Sequence, residues 1–194
     1  MPRVLTNSWG HRLARRLAVL VAVCLVALAA TPASRAQGVD VAALALDRQD
    51  GQLTLEFSLR TQLPRGVEDA LMRGVPMYFL AQATLYRHRW YWRDERVARV
   101  SRQWRLAYQP LTGSWRLGIG ALTQNYSTLS EAMAMITRTS GWRLAELSQL
   151  DPDARHYVEF SFRLDTAQLP PPMQVGLTGG GGWQLGLERT LRVE

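Results

Sequence analysis

Lysine is absent from this chain, cysteine occurs once, at Cys24, and histidine only three times. Every cation other than histidine is therefore an arginine. Such uniform usage fits a high-GC genome and says nothing about why one position needs a guanidinium rather than an ammonium. Beyond Cys24 there is no thiol, which excludes both a disulfide framework and a thiolate metal site from the rest of the chain. Past the first 36 residues only His88 and His156 remain, without HxH, HExxH or Asp-rich loop spacing. They do not read as a metal site even with Asp151 and Asp153 added. Nucleophilic catalysis lacks both a cysteine and a GxSxG turn. Asp94, Glu95, Asp151 and Asp153 stand where turns normally place acids rather than as a recognisable glycosidase pair. We therefore expect no catalytic residues, no cofactor and no metal, and a protein that is not an enzyme.

Long apolar runs are equally scarce. The longest, Leu17 to Ala30, has 14 residues, short of the ~20 that a helix needs to cross a bilayer, and no second run follows. Arg3, His11, Arg12, Arg15 and Arg16 precede it, and the small or helix-breaking residues Thr31 to Ala36 follow. This order of basic, apolar and small residues is that of a secretory signal peptide ending at Ala36. The expected location is periplasmic, the alternative being an uncleaved inner-membrane anchor. Arg15-Arg16 is read as part of a basic start rather than as a twin-arginine signal. Cys24, with bulky Val23 before it and apolar sequence beyond, is read as part of the apolar run rather than as a lipidation site. The formal charge of +7 shrinks accordingly, since five of the 23 arginines belong to residues 1–36. The remaining 18 face 16 acids, a net of +2, so bulk charge does not point to nucleic acid.

Residues 37–194 read as a single β-rich domain. Leu53, Leu55, Phe57 and Leu59 alternate with polar residues, and so do Val158, Phe160, Phe162 and Leu164, the period of two that buries one face of a strand. Asp50-Gly51 between apolar runs predicts a tight hairpin. Segments 75–92 and 96–109 predict a longer pair about Arg93-Asp94-Glu95, and 114–121 returns after Pro110 to Gly113. Thr128 and Glu131 form a capping box ahead of a helix that we expect Gly141 to stop. Residues 65–73 predict a second short helix, ended by Gly74 and Pro76. Two short helices among about eight strands give an antiparallel β-sandwich, with a small β-barrel as the alternative. Glu56-Phe57-Ser58 followed by Gln62-Leu63-Pro64 is echoed by Glu159-Phe160-Ser161 followed by Gln168-Leu169-Pro170, a match short enough for chance. Pro170 to Pro172 reads as an extended connector. Gly179 to Gly182 reads as a loop tip, without the strand-to-helix context or lysine of a phosphate loop.

Several stretches carry a resemblance: Arg89-Trp90-Tyr91-Trp92 with Asp94 to Ala98, Trp104-Arg105-Leu106 with Pro110-Leu111-Thr112, Leu63-Pro64 with Gly74-Val75-Pro76, and Phe162 to Thr166 with Gln168-Leu169-Pro170. In these the chain resembles a family of exported proteobacterial proteins known only as a domain of unknown function (DUF4390), some labelled proline-rich signal-peptide proteins. The glycine run at Gly179 to Gly182 departs from the more polar sequence expected there. The resemblance implies export and a link to a membrane sensor kinase, and it assigns no catalytic residue or ligand.

One segment stands apart in composition. Between Tyr86 and Tyr108 lie seven arginines, at 87, 89, 93, 96, 99, 102 and 105, against Asp94 and Glu95, a local +5, interleaved with Trp90, Tyr91, Trp92 and Trp104. Residues 146–165 carry five acids against Arg155 and Arg163, a local −3. An ordinary strand pair would bury the aromatics and pair or solvate the arginines. A binding surface would leave Arg87, Arg89, Arg93 and Arg99 exposed and unpaired beside an open Trp90 or Trp92. Those six are the candidate partner-binding residues. The expected partner is an envelope protein or an anionic lipid or cell-wall surface, not nucleic acid, which an exported protein rarely meets. The function expected is that of a non-catalytic envelope module. A periplasmic hydrolase or lipid-handling protein with an unrecognised site is the alternative. If the signal reading holds, N-terminal sequencing of the exported protein should begin at Gln37; a soluble cytosolic form that retains Met1 would contradict it.

Overall fold

Two sheets arise where alternating side chains must hide one face. The computed structural model describes residues 38–169, 183 and 185–194. The readings for residues 1–36, Pro170 to Pro172 and Gly179 to Gly182 fall outside them. In chain order the elements are β1 (Val39–Gln49), β2 (Gln52–Thr61), α1 (Arg65–Met72), β3 (Met77–Arg87), β4 (Glu95–Gln109), β5 (Ser114–Ile119), β6 (Leu122–Tyr126), α2 (Leu129–Thr137), β7 (Arg138–Glu146), β8 (His156–Leu164) and β9 (Gly186–Val193). Three-residue 3-10 turns lie at Leu147–Gln149 and Thr166–Gln168. A three-stranded antiparallel sheet in the order β1-β2-β7 packs on a six-stranded one in the order β6-β5-β4-β3-β8-β9. The sheets stay open, so the architecture is a β-sandwich and not the alternative barrel.

The predicted strand faces are the observed ones. Leu55, Phe57, Phe160 and Phe162 are all buried. The two strands that carry the Glu-Phe-Ser echo lie in different sheets, and their phenylalanines meet across the core with ring centroids 5.1 Å apart. Trp142 of β7 meets Phe57 edge-on at 6.2 Å, so β2 and β7 of the small sheet share one aromatic cluster with β8. Farther out, the inner face of β4 turns polar at Arg102. Its guanidinium sits 5.3 Å from the Trp142 ring centroid, Nη1 donates to Thr139 Oγ1 at 3.5 Å, and partial burial pulls its pKa down. A cation stacked on an aromatic face closes this side of the sandwich where an aliphatic chain would leave a gap.

The turns follow the sequence with two exceptions. Asp50 (φ 52°) and Gly51 (φ 73°) take the paired left-handed conformations of the tight hairpin. At the end of α1, Gly74 N–H donates to Leu71 O and Val75 N–H to Ala70 O, the two bonds of a glycine-terminated helix. In α2 the capping box forms: Thr128 Oγ1 accepts from Glu131 N–H, and the Glu131 carboxylate accepts from Thr128 N–H. Gly141, however, does not stop this helix. The chain leaves α2 at Thr137 and runs straight into β7, where Gly141 (φ 59°) lies at an irregularity in the pairing with β2. The second exception is the β3–β4 pair. It ends at Arg87 opposite Glu95, so Trp90, Tyr91 and Trp92 belong to a loop and not to a strand. High strand propensity in an aromatic run describes residues that can pack on a sheet, and these three have no facing sheet to pack on.

Because Arg87 pairs with His156 and His156 with Val193, the β3–β4 loop, the segment 147–155 and the end of β9 share one end of the sandwich. The Asp50-Gly51 turn joins them there through Leu147 N–H donating to Gly51 O. Phe160→Ala should lower unfolding stability by about 3–5 kcal/mol, since a phenyl ring that bridges the sheets leaves a cavity. An unchanged denaturation midpoint would show that this contact does not hold the sandwich together.

Candidate functional site

Seven residues, His88 to Asp94, connect β3 to β4, more than a tight hairpin turn can use. Polar side chains take over where the ladder stops. Asp94 folds back so that Oδ1 accepts from Arg89 N–H at 3.0 Å and lies 3.1 Å from His88 Nδ1, while Oδ2 accepts from Tyr157 Oη at 2.8 Å. Glu95 Oε2 accepts from the guanidinium groups of both Arg87 and Arg89. Arg87 Nη1 also reaches Asp151 Oδ2 at 3.3 Å, and His88 N–H donates to Arg155 O at 2.8 Å. The loop base is thereby tied to β4, to β8 and to the 147–155 segment at once. Beneath it Tyr86 and Tyr157 stack, with centroids 5.3 Å apart, which fixes the phenol that Asp94 requires.

The electrostatics follow from these contacts. The Arg89 backbone N–H, and after it the Tyr157 phenol, hold Asp94 below the usual carboxylate range, and His88 acts in the same direction. The guanidinium of Arg87 does the same for Glu95, with Arg89 adding to it. Tyr157 is pushed up to about 12, by burial first and by its bond to Asp94 second. Both carboxylates are thus kept ionised. That serves a clamp and works against a proton donor, which needs its pKa raised.

What the clamp presents is aromatic. Trp90 is 89% exposed, Tyr91 66% and Trp92 74%. Trp90 and Tyr91 touch each other edge-on at 5.2 Å. Arg93 beside them and Arg96 just inside β4 are exposed, and neither is ion-paired among the described residues.

The six candidate residues therefore divide. Trp90, Trp92 and Arg93 form an open tip, as a binding surface requires. Arg87 and Arg89 are partly covered and ion-paired, contrary to the expectation that they would be free; two carboxylates within reach of the ladder's end take up their charge and make them the loop's supports. Arg99 lies apart from the loop, on the outer face of the large sheet. Its Nε donates to Thr84 Oγ1 at 3.3 Å, and it lines a polar groove of about 400 Å³ with Glu159, Ser161 and Glu188. The two histidines serve different ends: His88 faces Asp94, whereas His156 is buried at the start of β8 with Nδ1 3.0 Å from Ala154 O. Among the described residues no three His, Cys, Asp or Glu side chains form a metal-binding group. Sequence reasoning missed Tyr157 and Asp151 as loop supports. Their signal is the non-local pairing of β3 with β8, which no local pattern encodes.

A group with a depressed folded-state pKa contributes from its unfolded value upward and stops contributing as pH falls through the depressed value. The loop should accordingly stay clamped through neutral pH and loosen only at pH below the usual carboxylate range. The amide resonances of His88 and Arg89 will report this by shifting there while those of β8 hold. Asp94→Ala should produce the loosened spectrum already at neutral pH, and an unaltered spectrum would contradict the clamp.

No curated protein and no solved structure matches the chain. Over residues 36–192 it matches the family described as Domain of unknown function (DUF4390), and since that is well over half of the chain, the chain belongs to this family.

Proposed function

We propose that this is an exported, non-catalytic module of the cell envelope that docks a partner through its 88–94 loop. The observation that carries the reading is the clamped aromatic tip: Trp90, Tyr91 and Trp92 stand in solvent on a loop whose base is held by Asp94 and Glu95. Exposed adjacent aromatics cost solubility and gain nothing in the free protein, so contiguous apolar exposure marks an interaction surface. Clamping the loop beforehand lowers the ordering cost of binding. The partner is an envelope protein or an anionic lipid or wall surface, and the extracellular part of a membrane sensor kinase falls within the first class. Periplasmic localisation belongs to this proposal too.

One observation favours a different reading, of a hydrolase or lipid-handling protein. The outer-face groove sets Glu159 and Glu188 near Arg99. Its lining is mostly polar, whereas sites that bury a small ligand are mostly apolar.

Envelope fractions from cells expressing the full chain separate the two. Trp90→Ser combined with Trp92→Ser should lower the retained protein severalfold, and Arg93→Gln should make what remains less sensitive to added salt. Folding stability should change by no more than about 0.5 kcal/mol, as expected for surface positions. Glu159→Gln should leave retention unchanged. Undiminished retention of the tip variant would contradict docking through the loop.

A further inference from the structure

We infer that the surface this loop meets is the headgroup region of an anionic bilayer, with Trp90, Tyr91 and Trp92 entering it and Arg93 and Arg96 set against lipid phosphates. The inference rests on the docking reading above and names its partner class.

Three features of the loop favour a bilayer over a protein surface. The first is the shape of the exposure. Protein hot spots lie in packed pockets ringed by contacts that exclude water, whereas here three consecutive rings protrude at the end of the sandwich, each at least 66% exposed. The second is their chemistry. Trp and Tyr join an apolar ring to one polar hydrogen, which suits the boundary where acyl chains meet headgroups, and they gather at that depth. The third is charge. The acids that flank the tip are already engaged: Asp94 by Arg89 N–H and Tyr157, Glu95 by Arg87 and Arg89, and Asp151 by Arg87. Arg93 and Arg96 keep their charge free among the described residues, and residues 87–96, the loop with its immediate flanks, carry four arginines against two acids. Arginines beside an anionic membrane surface add attraction that falls off within a Debye length.

The backbone meets the same demand. Irregular chain cannot enter the hydrocarbon core, where its amide groups would lose water. At the loop's start the His88 and Arg89 N–H groups already have acceptors in Arg155 O and Asp94. The tip residues keep theirs hydrated if entry stops among the headgroups. Shallow, reversible insertion is what such a tip permits.

The test uses the full-length protein as recovered from expressing cells, compared with Trp90→Ser/Trp92→Ser in the same background, so that any contribution of the N-terminal segment is common to both. The probes are protein-free vesicles of phosphatidylcholine alone or with phosphatidylglycerol. Fluorescence contributed by Trp90 and Trp92, taken as the difference between parent and variant, should move to the blue on phosphatidylglycerol-containing vesicles and be quenched by lipid brominated near the headgroup. Arg93→Gln and Arg96→Gln should each weaken binding about fivefold, the factor that corresponds to about 1 kcal/mol per arginine near an anionic surface. Circular dichroism will show whether each variant is folded. A difference spectrum that neither vesicle moves, while retention on envelope fractions still depends on the tip, overturns the bilayer inference and leaves docking to a protein or wall polymer. If retention too is independent of the tip, both readings fall.

Discussion

Arg87 and Glu95 close the β3–β4 ladder, and the seven residues between them must be held by something other than strand pairing. The solution is a clamp in which two carboxylates accept from two guanidinium groups, a phenol and a backbone amide. Each of these contacts is partly open to water, and exposed ion pairs taken singly add little to stability. Their effect is geometric. Together they tie one loop to three parts of the chain, so that its aromatic residues are directed outward rather than folded back over the sheet edge.

This division of labour explains why arginines so close in sequence have different surroundings. Arg87 and Arg89 point to the side where Glu95 and Asp151 lie and are neutralised there. Arg93 and Arg96 fall where no such acid is offered among the described residues and stay available. Arg102, partly buried on the inner face, meets no acid among the described residues and stacks on Trp142 instead. The composition that makes this segment conspicuous thus serves two purposes in the fold, support of the loop and closure of the sandwich, and on the proposed function a third, attraction of a partner.

Much of the fold was legible from the sequence because its signals are local. Alternation at Leu55 and Phe57, and again at Phe160 and Phe162, assigns a buried face without knowledge of what lies opposite. The Asp50-Gly51 turn and the Thr128–Glu131 box are likewise set within a few residues. The errors came where local pattern and tertiary context disagree. Trp90-Tyr91-Trp92 has the composition of a strand yet no neighbouring strand to join, and Gly141 looks like a helix stop but serves an irregularity in β7. The candidate site was half legible for the same reason. Its exposed tip follows from an unusual cluster of residues, whereas its supports, Asp151 and Tyr157, lie more than 60 residues beyond the arginine and aspartate they hold.

On the proposed function, partners meet this domain at the 88–94 loop. The most direct measurement places a photo-reactive side chain at Trp92 or, separately, at Arg189 on the outer-face groove, and irradiates intact cells. Docking through the loop predicts adducts, whether to lipid, polymer or protein, from position 92 and not from position 189. Adducts from 189 with none from 92 would contradict it.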